Sequence, residues 1–378
     1  MTKTIYISDT NCITPLGFDT ASNWESLLKG NSGIQLQEKV GMLESFYASI
    51  IDSEKLNIAF GLISTETHFT KLEKMLILAL KPLIDKQKIT DKTAFIFSTT
   101  KGNISLLEQE KKGVEAAHLS NLAKKISDVF KFSTTPIVVS NACVSGVLAI
   151  AVAKRMIQSG VYEDAFVVAG DVVSEFVLSG FNSFQAMSAL PCKPYDKDRN
   201  GVTLGEAAAA VYISSNENKL KKNDIKIIGD GAINDANHIS GPSRTGDGLF
   251  KSIKSTFKES GLNPEKLSYI SAHGTATFYN DEMEAVAFNR LGLHNVPVNS
   301  LKGFYGHTLG ASGLLETVIA IESARENQLL DSKGFTEIGV TPAIAITKGN
   351  SPCKINYFLK TASGFGGCNT AVLFEKVN

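Results

Sequence analysis

Short runs of apolar and β-branched residues alternate along this chain with longer segments in which apolar residues recur at helical spacing. The short runs predict strands at residues 5–8, 93–98, 136–140, 165–169, 208–214, 225–228, 268–272, 355–359 and 370–374. The longer segments predict helices at residues 21–29, 72–85, 121–130, 144–159, 248–260, 281–291 and 314–327. Alternation of this kind is typical of a mixed α/β layer architecture.

The composition describes an ordinary globular chain. Of its 378 residues, 43% are hydrophobic and 20% are charged. This length normally corresponds to two or three domains, yet no low-complexity tract and no Pro- or Ser-rich linker divides the sequence. We therefore expect two halves that share one core. Basic and acidic residues number 38 each, so the formal net charge is zero. This balance argues against a nucleic-acid-binding surface over the whole protein and does little to oppose self-association.

The N-terminal sequence and the cysteines predict a reduced, cytoplasmic protein. The first ten residues, M-T-K-T-I-Y-I-S-D-T, lack the apolar region of a signal peptide, and no stretch reaches the roughly 18 apolar residues of a membrane span. The five cysteines are scattered without C-x-x-C spacing, which favours neither a disulfide framework nor a zinc site. They are Cys12, Cys143, Cys192, Cys353 and Cys368.

Two segments of the chain are similar to each other. Residues 138–153 and residues 305–320 each pass from a short apolar run through small residues into an apolar helix. At an offset of 167 positions, Ser145 aligns with Ser312 and Gly146 aligns with Gly313. The similarity predicts an internal duplication. The alternative is that any two buried helices share glycine, alanine and leucine.

Cys143 lies between a predicted strand and a predicted helix. Backbone N–H groups at a helix N-terminus favour the thiolate, so this position predicts a lowered thiol pKa. The small neighbours Asn141, Ala142, Ser145 and Gly146 leave room for a substrate. Position and neighbours fit equally well a buried cysteine that acts as a small hydrophobic residue.

Two histidines stand in glycine-rich surroundings. His273 follows a predicted strand in Y-I-S-A-H-G-T, and Asp281 heads the next predicted helix. His307 lies in Y-G-H-T-L-G-A-S-G, where Lys302 and Glu316 are charges in a small, apolar stretch and need partners if they are buried. Each histidine taken alone fits a structural role as well as a catalytic one.

A glycine-rich turn precedes the last predicted strand. Residues 364–369 read G-F-G-G-C-N. The backbone N–H groups of such a turn can bind a developing oxyanion, or the turn can simply be tight. Because no helix follows it, the turn is a poor candidate for a phosphate loop.

Taken together and in this order, these segments resemble the β-ketoacyl-acyl-carrier-protein synthases, which belong to the thiolase-like superfamily. N-A-C-V-S-G around Cys143 is similar to the family's nucleophile motif, usually T-A-C-A/S-S-G. H-G-T-A-T-F-Y-N-D is similar to H-G-T-x-T-P-x-x-D, with Phe278 in place of proline. S-L-K-G-F-Y-G-H-T-L-G-A-S-G and G-F-G-G-C-N also match family motifs, as do residues 192–207 and 13–17. The similarity spans most of the chain.

The resemblance implies a fold and three catalytic residues. The fold is α/β and thiolase-like, a duplicated α-β-α-β-α arrangement of five layers in one unit. Residues 1–215 form the half with the nucleophile Cys143, and residues 216–378 form the half with both catalytic histidines, His273 and His307. The two histidines serve the malonyl thioester.

Supporting roles follow from the same resemblance. Lys302 and Glu316 match the polar residues that organise the second histidine, and Asp281 matches a structural acid after the first. Phe365 matches a gating residue whose backbone N–H forms an oxyanion hole with that of Cys143.

The implied enzyme is an acyltransferase. It joins a Cys-bound acyl group to malonyl-acyl carrier protein by decarboxylative Claisen condensation, in fatty acid or polyketide- or polyene-type biosynthesis. No metal or organic cofactor is needed, since both substrates are carried on the phosphopantetheine of acyl carrier protein. The expected assembly is a homodimer, or a heterodimer with a homologous subunit. Lys71 and Lys74 are the expected carrier-docking residues, because Lys71 corresponds to a basic docking position in the family.

Two other functions remain as alternatives. A thiolase acting on CoA thioesters would use a second cysteine as base, but Cys368 lies inside G-F-G-G-C-N rather than before the glycines. A non-catalytic partner of the chain-length-factor type would lack the nucleophile, whereas Cys143 is present. The region between Gly33 and Cys143 is shorter than in typical members and lacks the family's I-S-P-F segment, so the acyl-chain length does not follow from the resemblance.

Overall fold

The computed structural model describes residues 3–109, 113–235, 237 and 241–378. Its strands are β1 Tyr6–Ile13, β2 Gln35–Val40, β3 Leu43–Ser49, β4 Thr93–Ser98, β5 Ile137–Val139, β6 Asp164–Asp171, β7 Leu204–Gly205, β8 Ala207–Ser214, β9 Ile225–Asn234, β10 Tyr269–Ser271, β11 Val298–Asn299, β12 Gln328–Leu329, β13 Ser351–Pro352, β14 Tyr357–Gly364 and β15 Cys368–Lys376. Its α-helices are α1 Thr20–Leu28, α2 Ser53–Gly61, α3 Lys71–Ile84, α4 Ser105–Gln109, α5 Leu119–Phe130, α6 Ser145–Gln158, α7 Glu175–Ser183, α8 Asp247–Ser260, α9 Phe278–Arg290, α10 Lys302–Tyr305 and α11 Ser312–Glu326.

Ten strands form one large sheet in which two sets of five repeat the same topology. In spatial order, the first set is β1-β8-β6-β4-β5 and the second is β9-β15-β14-β10-β11. Both sets begin with two antiparallel pairings and end with two parallel pairings. The chain passes from the first set to the second between Ser214 and Ile225, the connection that contains residues 215 and 216. The duplicated fold predicted from the sequence is therefore present.

The two sets of strands join only briefly, through β1 and β9. Tyr6 pairs with Lys226 and Ile7 pairs with Ile225 in antiparallel register. The helices α6 and α11 pack in one apolar cluster with residues from both sets of strands, such as Val167 and Val372. The helices α3 and α5 cover the outer face of the first set, and α8 and α9 cover that of the second. These are the five layers of the predicted fold.

The central helices α6 and α11 contact each other through the glycines that the internal alignment pairs. A methyl group added at Gly146 would lie 2.6 Å from Leu314 N, and one added at Gly313 would lie 2.9 Å from Val147 N. Side chains at these positions would hold the helices apart. Because Cys143 and His307 each lie just before one of these helices, this close contact brings them to the same end of the central layer.

Every strand and helix predicted from the sequence overlaps an observed one of the same type. Among the elements that the pattern missed are the β2–β3 hairpin and the helix α7. Strand β2 has no buried residue, so it lacks the alternation that marks a half-buried strand. Helix α7 buries only Val177 and Leu178 and contains Gly180, a poor helix former.

Candidate active site

Cys143 lies in a sharp turn between β5 and α6. The residue before it, Ala142, has a left-handed backbone with φ of 45°. The turn is held by Ser145, whose Oγ accepts a hydrogen bond from Asn141 N at 2.8 Å and donates one to Ala142 O at 2.6 Å. The nucleophile candidate therefore sits on a turn clamped by the first residue of the following helix.

His273 follows β10 at the carboxyl end of that strand. Its backbone N–H donates to Glu284 Oε1 at 2.9 Å, and the N–H of Gly274 donates to Glu284 Oε2 at 2.7 Å. Gly274 has φ of 44°, and a methyl group there would lie 2.5 Å from Ser300 Cβ. Glu284 on α9 thus fixes the turn that positions His273, a role that sequence reasoning did not assign.

His307 lies between α10 and α11 and is anchored through its backbone to residues around β7. Its N–H donates to Thr203 O at 2.6 Å, and its carbonyl accepts from Gly205 N at 3.0 Å. Gly306 has φ of 68°, and a methyl group there would lie 2.6 Å from Leu204 O. Only a glycine allows the two backbones to approach so closely.

The structure brings the three predicted catalytic residues together. Cys143 Sγ and one ring nitrogen from each of His273 and His307 lie within 4.8 Å of one another. The two imidazole centroids are 5.2 Å apart, with their planes at 83°. All three residues are buried, with exposed fractions of 8%, 2% and 2%. They line one cavity of about 530 Å³.

Hydrogen bonds at Nδ1 indicate which nitrogen of His307 carries the proton. The backbone N–H of Leu309 points at His307 Nδ1 at 3.2 Å, and Ser312 Oγ lies 2.9 Å from the same atom. An atom that accepts an N–H bond is unprotonated, so the neutral ring carries its proton on Nε2. That nitrogen is the one left to donate to a molecule in the cavity.

The same tautomer follows for His273. Lys302 Nζ lies 3.4 Å from His273 Nδ1, and an ammonium group offers only donors. Lys302 also donates to His273 O at 2.6 Å. The predicted partner of the second histidine therefore contacts the first one directly.

Lys302 belongs to a buried ion cluster that includes an unpredicted lysine. Glu316 on α11 pairs with Lys302 at 2.7 Å through Oε1 and with Lys360 on β14 at 2.5 Å through Oε2. Both lysine side chains are completely buried. Lys360 could have been noticed in the sequence, because it is a charged residue within an otherwise largely apolar strand at residues 357–364. A charge buried in such a strand needs a partner.

The environment keeps both imidazoles neutral. Burial lowers the pKa of His273 well below its usual value, and the positive charges of Lys302 and Lys360 act in the same direction. Burial and the same two lysines also lower the pKa of His307. At neutral pH the cavity therefore contains two neutral rings that can each donate from Nε2.

The electrostatics of Cys143 differ from the prediction made from its place at a helix start. Burial raises the pKa of this thiol to about 12, with the neighbouring Cys368 acting in the same direction. The expectation of a lowered pKa is wrong, because loss of hydration outweighs the helix terminus at this depth. Before substrate binds, Cys143 is a thiol.

The glycine-rich turn at residues 364–369 lies against the backbone of the nucleophile. A methyl group added at Gly364 would lie 3.0 Å from Cys143 N and 2.9 Å from Cys368 Sγ. This contact places the backbone that leads into Phe365 beside the N–H of Cys143, as an oxyanion hole formed by these two residues requires.

The ring of Phe365 is held by two unpredicted aromatic residues at α7. Its centroid is 5.7 Å from that of Phe181, at 25° between planes, and 5.5 Å from that of Phe184, at 69°. Phe365 is 37% exposed and lines the cavity. The ring thus lines the same cavity as Cys143 while part of its surface faces solvent.

Asp281 lies behind the site rather than in it. Its carboxylate accepts from Thr275 N at 3.0 Å and from Tyr195 N at 2.7 Å. Burial raises the pKa of this carboxyl to about 7. These contacts fix the loop after His273, which agrees with a structural role.

The carrier-docking candidates Lys71 and Lys74 lie on α3, and neither is among the described residues that line the cavity. Lys71 Nζ pairs at 2.5 Å with the buried carboxylate of Glu206. Lys74 Nζ donates to Asn57 Oδ1 at 2.8 Å. The contact with Glu206 gives Lys71 a role in the fold, while docking at either lysine stays a prediction.

The triad of Cys143, His273 and His307 offers the donor types of a zinc site. Occupation by a metal would consume the thiol and both imidazoles, so metal binding and nucleophilic catalysis exclude each other here.

In the part of the chain that the structure describes, no helix is long and apolar enough to cross a membrane.

Comparisons with known proteins agree with this geometry. Two models of the β-ketoacyl synthase family match the chain, its N-terminal domain over residues 84–219 and its C-terminal domain over residues 226–336. Together they cover more than half of the sequence.

The relatives agree with these models. A putative mitochondrial 3-oxoacyl-[acyl-carrier-protein] synthase of Schizosaccharomyces pombe is 26% identical, with 99% of each chain aligned. The 3-oxoacyl-[acyl-carrier-protein] synthase 2 of Coxiella burnetii is 32% identical over 62% of this chain and 60% of its own. A solved ketosynthase (ApeO) in complex with its chain length factor (ApeC), from Xenorhabdus doucetiae, has the same fold. Its TM-score is 0.87 at 23% identity, and the match covers 99% of this chain and 98% of the other. From the matching models, the relatives along its length and the shared fold, we conclude that the chain belongs to the β-ketoacyl synthase family.

Proposed function

We propose that this protein is a 3-oxoacyl-acyl-carrier-protein synthase, an acyltransferase that condenses a Cys143-bound acyl group with malonyl-acyl carrier protein. The observation that carries the proposal is that one thiol and two neutral imidazoles line the same cavity within 4.8 Å of one another. A structural cysteine needs no such partners. A thiolase would need a second cysteine as base, whereas Cys368 contacts the backbone oxygens of Asn141 and Phe365 and is not among the described cavity-lining residues.

The first half-reaction loads the acyl group. The sulfur of Cys143 attacks the carbonyl carbon of an acyl thioester, and the tetrahedral oxyanion binds between the N–H groups of Cys143 and Phe365. The carbon–sulfur bond to the carrier then breaks. The proton of the Cys143 thiol ends on the departing carrier thiol, so this exchange is proton-balanced although the pKa of the cysteine is raised.

The second half-reaction begins with loss of CO₂ from malonyl-carrier. The Nε2–H groups of His273 and His307 donate to the malonyl thioester oxygen, which becomes an enolate oxygen as the carboxylate leaves. Two donors directed at the atom that gains charge stabilise this transition state more than the ground state. Neutral rings suit the role, because Nδ1 accepts a hydrogen bond in both.

The enolate carbon then attacks the acyl carbonyl on Cys143. The new carbon–carbon bond gives a 3-oxoacyl-carrier, and the sulfur leaves as a thiolate that takes up one proton from solvent. Loss of CO₂ makes the condensation favourable, so this mechanism uses no metal and no organic cofactor. It serves fatty acid or polyketide synthesis, and we propose that it takes place in the cytoplasm.

The partner that delivers both substrates is an acyl carrier protein. The Schizosaccharomyces pombe and Coxiella burnetii relatives are named as acyl-carrier-protein synthases, which supports the assignment. The likeness to a ketosynthase in complex with its chain length factor supports a dimer, either with a second copy or with a homologous subunit. Copurification of a tagged chain with an untagged copy, followed by measurement of mass in solution, distinguishes the two assemblies.

Intact mass spectrometry with acyl-carrier donors tests the function. The chain should gain one acyl group, which proteolysis should map to Cys143, and Cys143→Ala should abolish the adduct. Addition of malonyl-carrier should then release a 3-oxoacyl-carrier. Cys368→Ala is the matched control and should still be acylated, and a metal chelator should change neither step. Acylation at Cys368, or loss of activity with the chelator, would refute the proposal.

A further inference from the structure

A second buried lysine lies behind the catalytic histidines. Lys360 belongs to β14, and its side chain has no exposed surface. It is the residue in parallel register with Ser271, the last residue of β10, two positions before His273. The sequence motifs assign it no role, and the mechanism above does not use it directly.

The contacts of Lys360 converge on the segment that positions His273. Its Nζ donates to Ser271 O at 3.2 Å and to Ala272 O at 3.1 Å. It also pairs with Glu316 Oε2 at 2.5 Å. Since Lys302 binds His273 O and Glu316 Oε1, the two ammonium groups together hold three successive carbonyls and one shared carboxylate.

Charged groups face His273 from four elements. Lys302 comes from α10, Glu316 from α11 and Lys360 from β14, while α9 supplies Glu284. His307 and Cys143 face the ring from the cavity side. Asp281, also on α9, binds the loop amides and lies 4.0 Å from Arg199, which pairs more closely with Glu282 at 3.1 Å.

The two acids that face His273 both make the contacts of ionised carboxylates. Glu284 accepts from two backbone N–H groups, from the hydroxyl of Tyr195 and from the amide of Asn280. Glu316 accepts from both lysines. Two carboxylates and two ammonium groups therefore balance. Without Lys360 a buried negative charge would remain, and a protonated His273 would offset it at low cost.

Protonation of His273 would disturb its geometry. An imidazolium carries a proton on Nδ1, which would then point at the ammonium group of Lys302 only 3.4 Å away. Two donors cannot share a hydrogen bond, so the ring would turn and its Nε2–H would leave the thioester oxygen. Burial lowers the pKa of His273 first, and Lys360 adds to this in the same direction as Lys302.

We propose that Lys360 is a positioning residue for the decarboxylation half-reaction, which holds His273 neutral and correctly oriented by balancing the buried acids and binding the carbonyls before it. The inference rests on the condensing function proposed above. It assigns to Lys360 no contact with substrate.

The test compares Lys360→Met and Lys360→Gln with the wild type. The glutamine removes the charge and keeps a side-chain N–H donor on a side chain that is one atom shorter. Lys376→Met is the matched control, because Lys376 is also buried and binds a carbonyl, Ala324 O, but lies at the end of β15 away from the cavity. The rates of malonyl-carrier decarboxylation and of Cys143 acylation are measured from pH 8 down to the lowest pH at which the wild type and the variants stay folded.

Both neutral variants should lose decarboxylation as pH falls, with the inflection moved up by about one pH unit, since removal of one nearby positive charge favours the imidazolium. At a pH below both inflections, the loss relative to the wild type should be roughly tenfold. Acylation of Cys143 should stay within about threefold, and Lys376→Met should change neither profile. A wild-type profile in a folded Lys360→Met variant overturns the proposal. Loss of folding in both neutral variants, with Lys360→Arg folded, assigns Lys360 to the fold alone and also overturns it.

Nuclear magnetic resonance of isotopically labelled histidines separates this inference from the proposed function. The His273 ring, assigned by comparison with His273→Ala, should titrate at a higher pH in Lys360→Gln than in the wild type. This shift does not depend on any condensing activity. A wild-type protein that never decarboxylates malonyl-carrier refutes the function, whereas an unchanged titration in Lys360→Gln refutes the role of Lys360.

Discussion

Replacement of Gly364 by alanine should damage acyl loading selectively, because this glycine forms the contact between the glycine-rich turn and the nucleophile. The added methyl group would lie 3.0 Å from Cys143 N and 2.9 Å from Cys368 Sγ. Comfortable contacts of this kind lie near 3.5 Å or more, so the turn and Cys143 must separate by about 0.5 Å. Gly364 is not among the glycines with positive φ, so the expected effect is steric rather than conformational.

The displacement is large compared with the tolerance of an oxyanion hole. Donors act over about 2.7 to 3.1 Å, and removal of one donor typically costs about 100- to 1,000-fold in rate. We expect Gly364→Ala to slow acylation of Cys143 by roughly 30- to 100-fold. Overpacking of this kind typically lowers the free energy of unfolding by about 1 to 3 kcal/mol.

Single-turnover acylation, followed by intact mass spectrometry, measures the loss of rate. A urea unfolding curve of the same variant measures the loss of stability. Gly61→Ala is the matched control, because Gly61 ends α2 in open space, and its acylation should equal that of the wild type. The double variant Gly364→Ala, Cys368→Ala removes the thiol contact and should regain stability, while acylation stays slow because the contact with Cys143 N remains. Wild-type acylation in Gly364→Ala would refute the oxyanion hole inferred from this contact.

Three further predictions concern the gate, the buried histidines and the carrier. Phe365→Ala should load the acyl group as fast as the wild type or faster but turn over more slowly with malonyl-carrier; unchanged half-reactions would make the ring a plain apolar plug. Burial lowers the pKa of His273 and His307 in the folded state. Below pH 6.5, the usual histidine pKa, the unfolded chain therefore binds two more protons than the folded chain. The free energy of unfolding should then fall with decreasing pH, by up to about 2.7 kcal/mol per unit from this pair. Urea unfolding from pH 7 to 5 measures the net slope, in which the raised pKa of Asp281 opposes the two histidines. His307→Ala should lower this slope by about 1.4 kcal/mol per unit, and an equal slope in the variant would contradict the assignment. Loading from acyl-carrier should slow with salt, as the Debye length falls from about 10 Å at 0.1 M to 3 Å at 1 M, and more than loading from acyl-CoA. Lys74→Glu should slow carrier loading further, and equal, salt-insensitive rates for both donors would contradict carrier docking.

The elements of this fold follow from local sequence patterns because most of them carry either a periodic or a continuous run of apolar residues. Strand β8 is buried along its whole length, from Ala207 to Ser214, and it reads as an apolar run. Helix α3 is amphipathic and begins with a capping box in which Thr70 and Glu73 bind each other's backbone N–H groups. Element boundaries are less visible, since β9 runs six residues beyond its predicted end at residue 228. The next three residues, Gly229, Asp230 and Gly231, are buried but have the composition of a turn. The β2–β3 hairpin was not predicted, because exposed strands show little alternation of apolar and polar residues.

The sequence by itself predicted the duplicated fold, and its resemblance to the β-ketoacyl synthases identified the three candidate catalytic residues. Cys143, His273 and His307 stand in local motifs, and a motif is visible wherever chemistry demands particular residue types at short spacing. The internal alignment of Gly146 with Gly313 was enough to place Cys143 and His307 at the starts of equivalent helices.

Only the tertiary structure decided how these residues behave. The pKa of Cys143 is raised rather than lowered because desolvation depends on the whole surrounding core, which a helix start does not reveal. The ion cluster behind His273 joins Lys302, Glu316 and Lys360, which lie up to 58 positions apart and meet only because α10, α11 and β14 pack together. The ion pair between Lys71 and the buried carboxylate of Glu206 was likewise not visible in the sequence, while carrier docking at Lys71 stays a prediction. Charges in a sequence can be counted, but their partners and their hydration are set by contacts between distant segments.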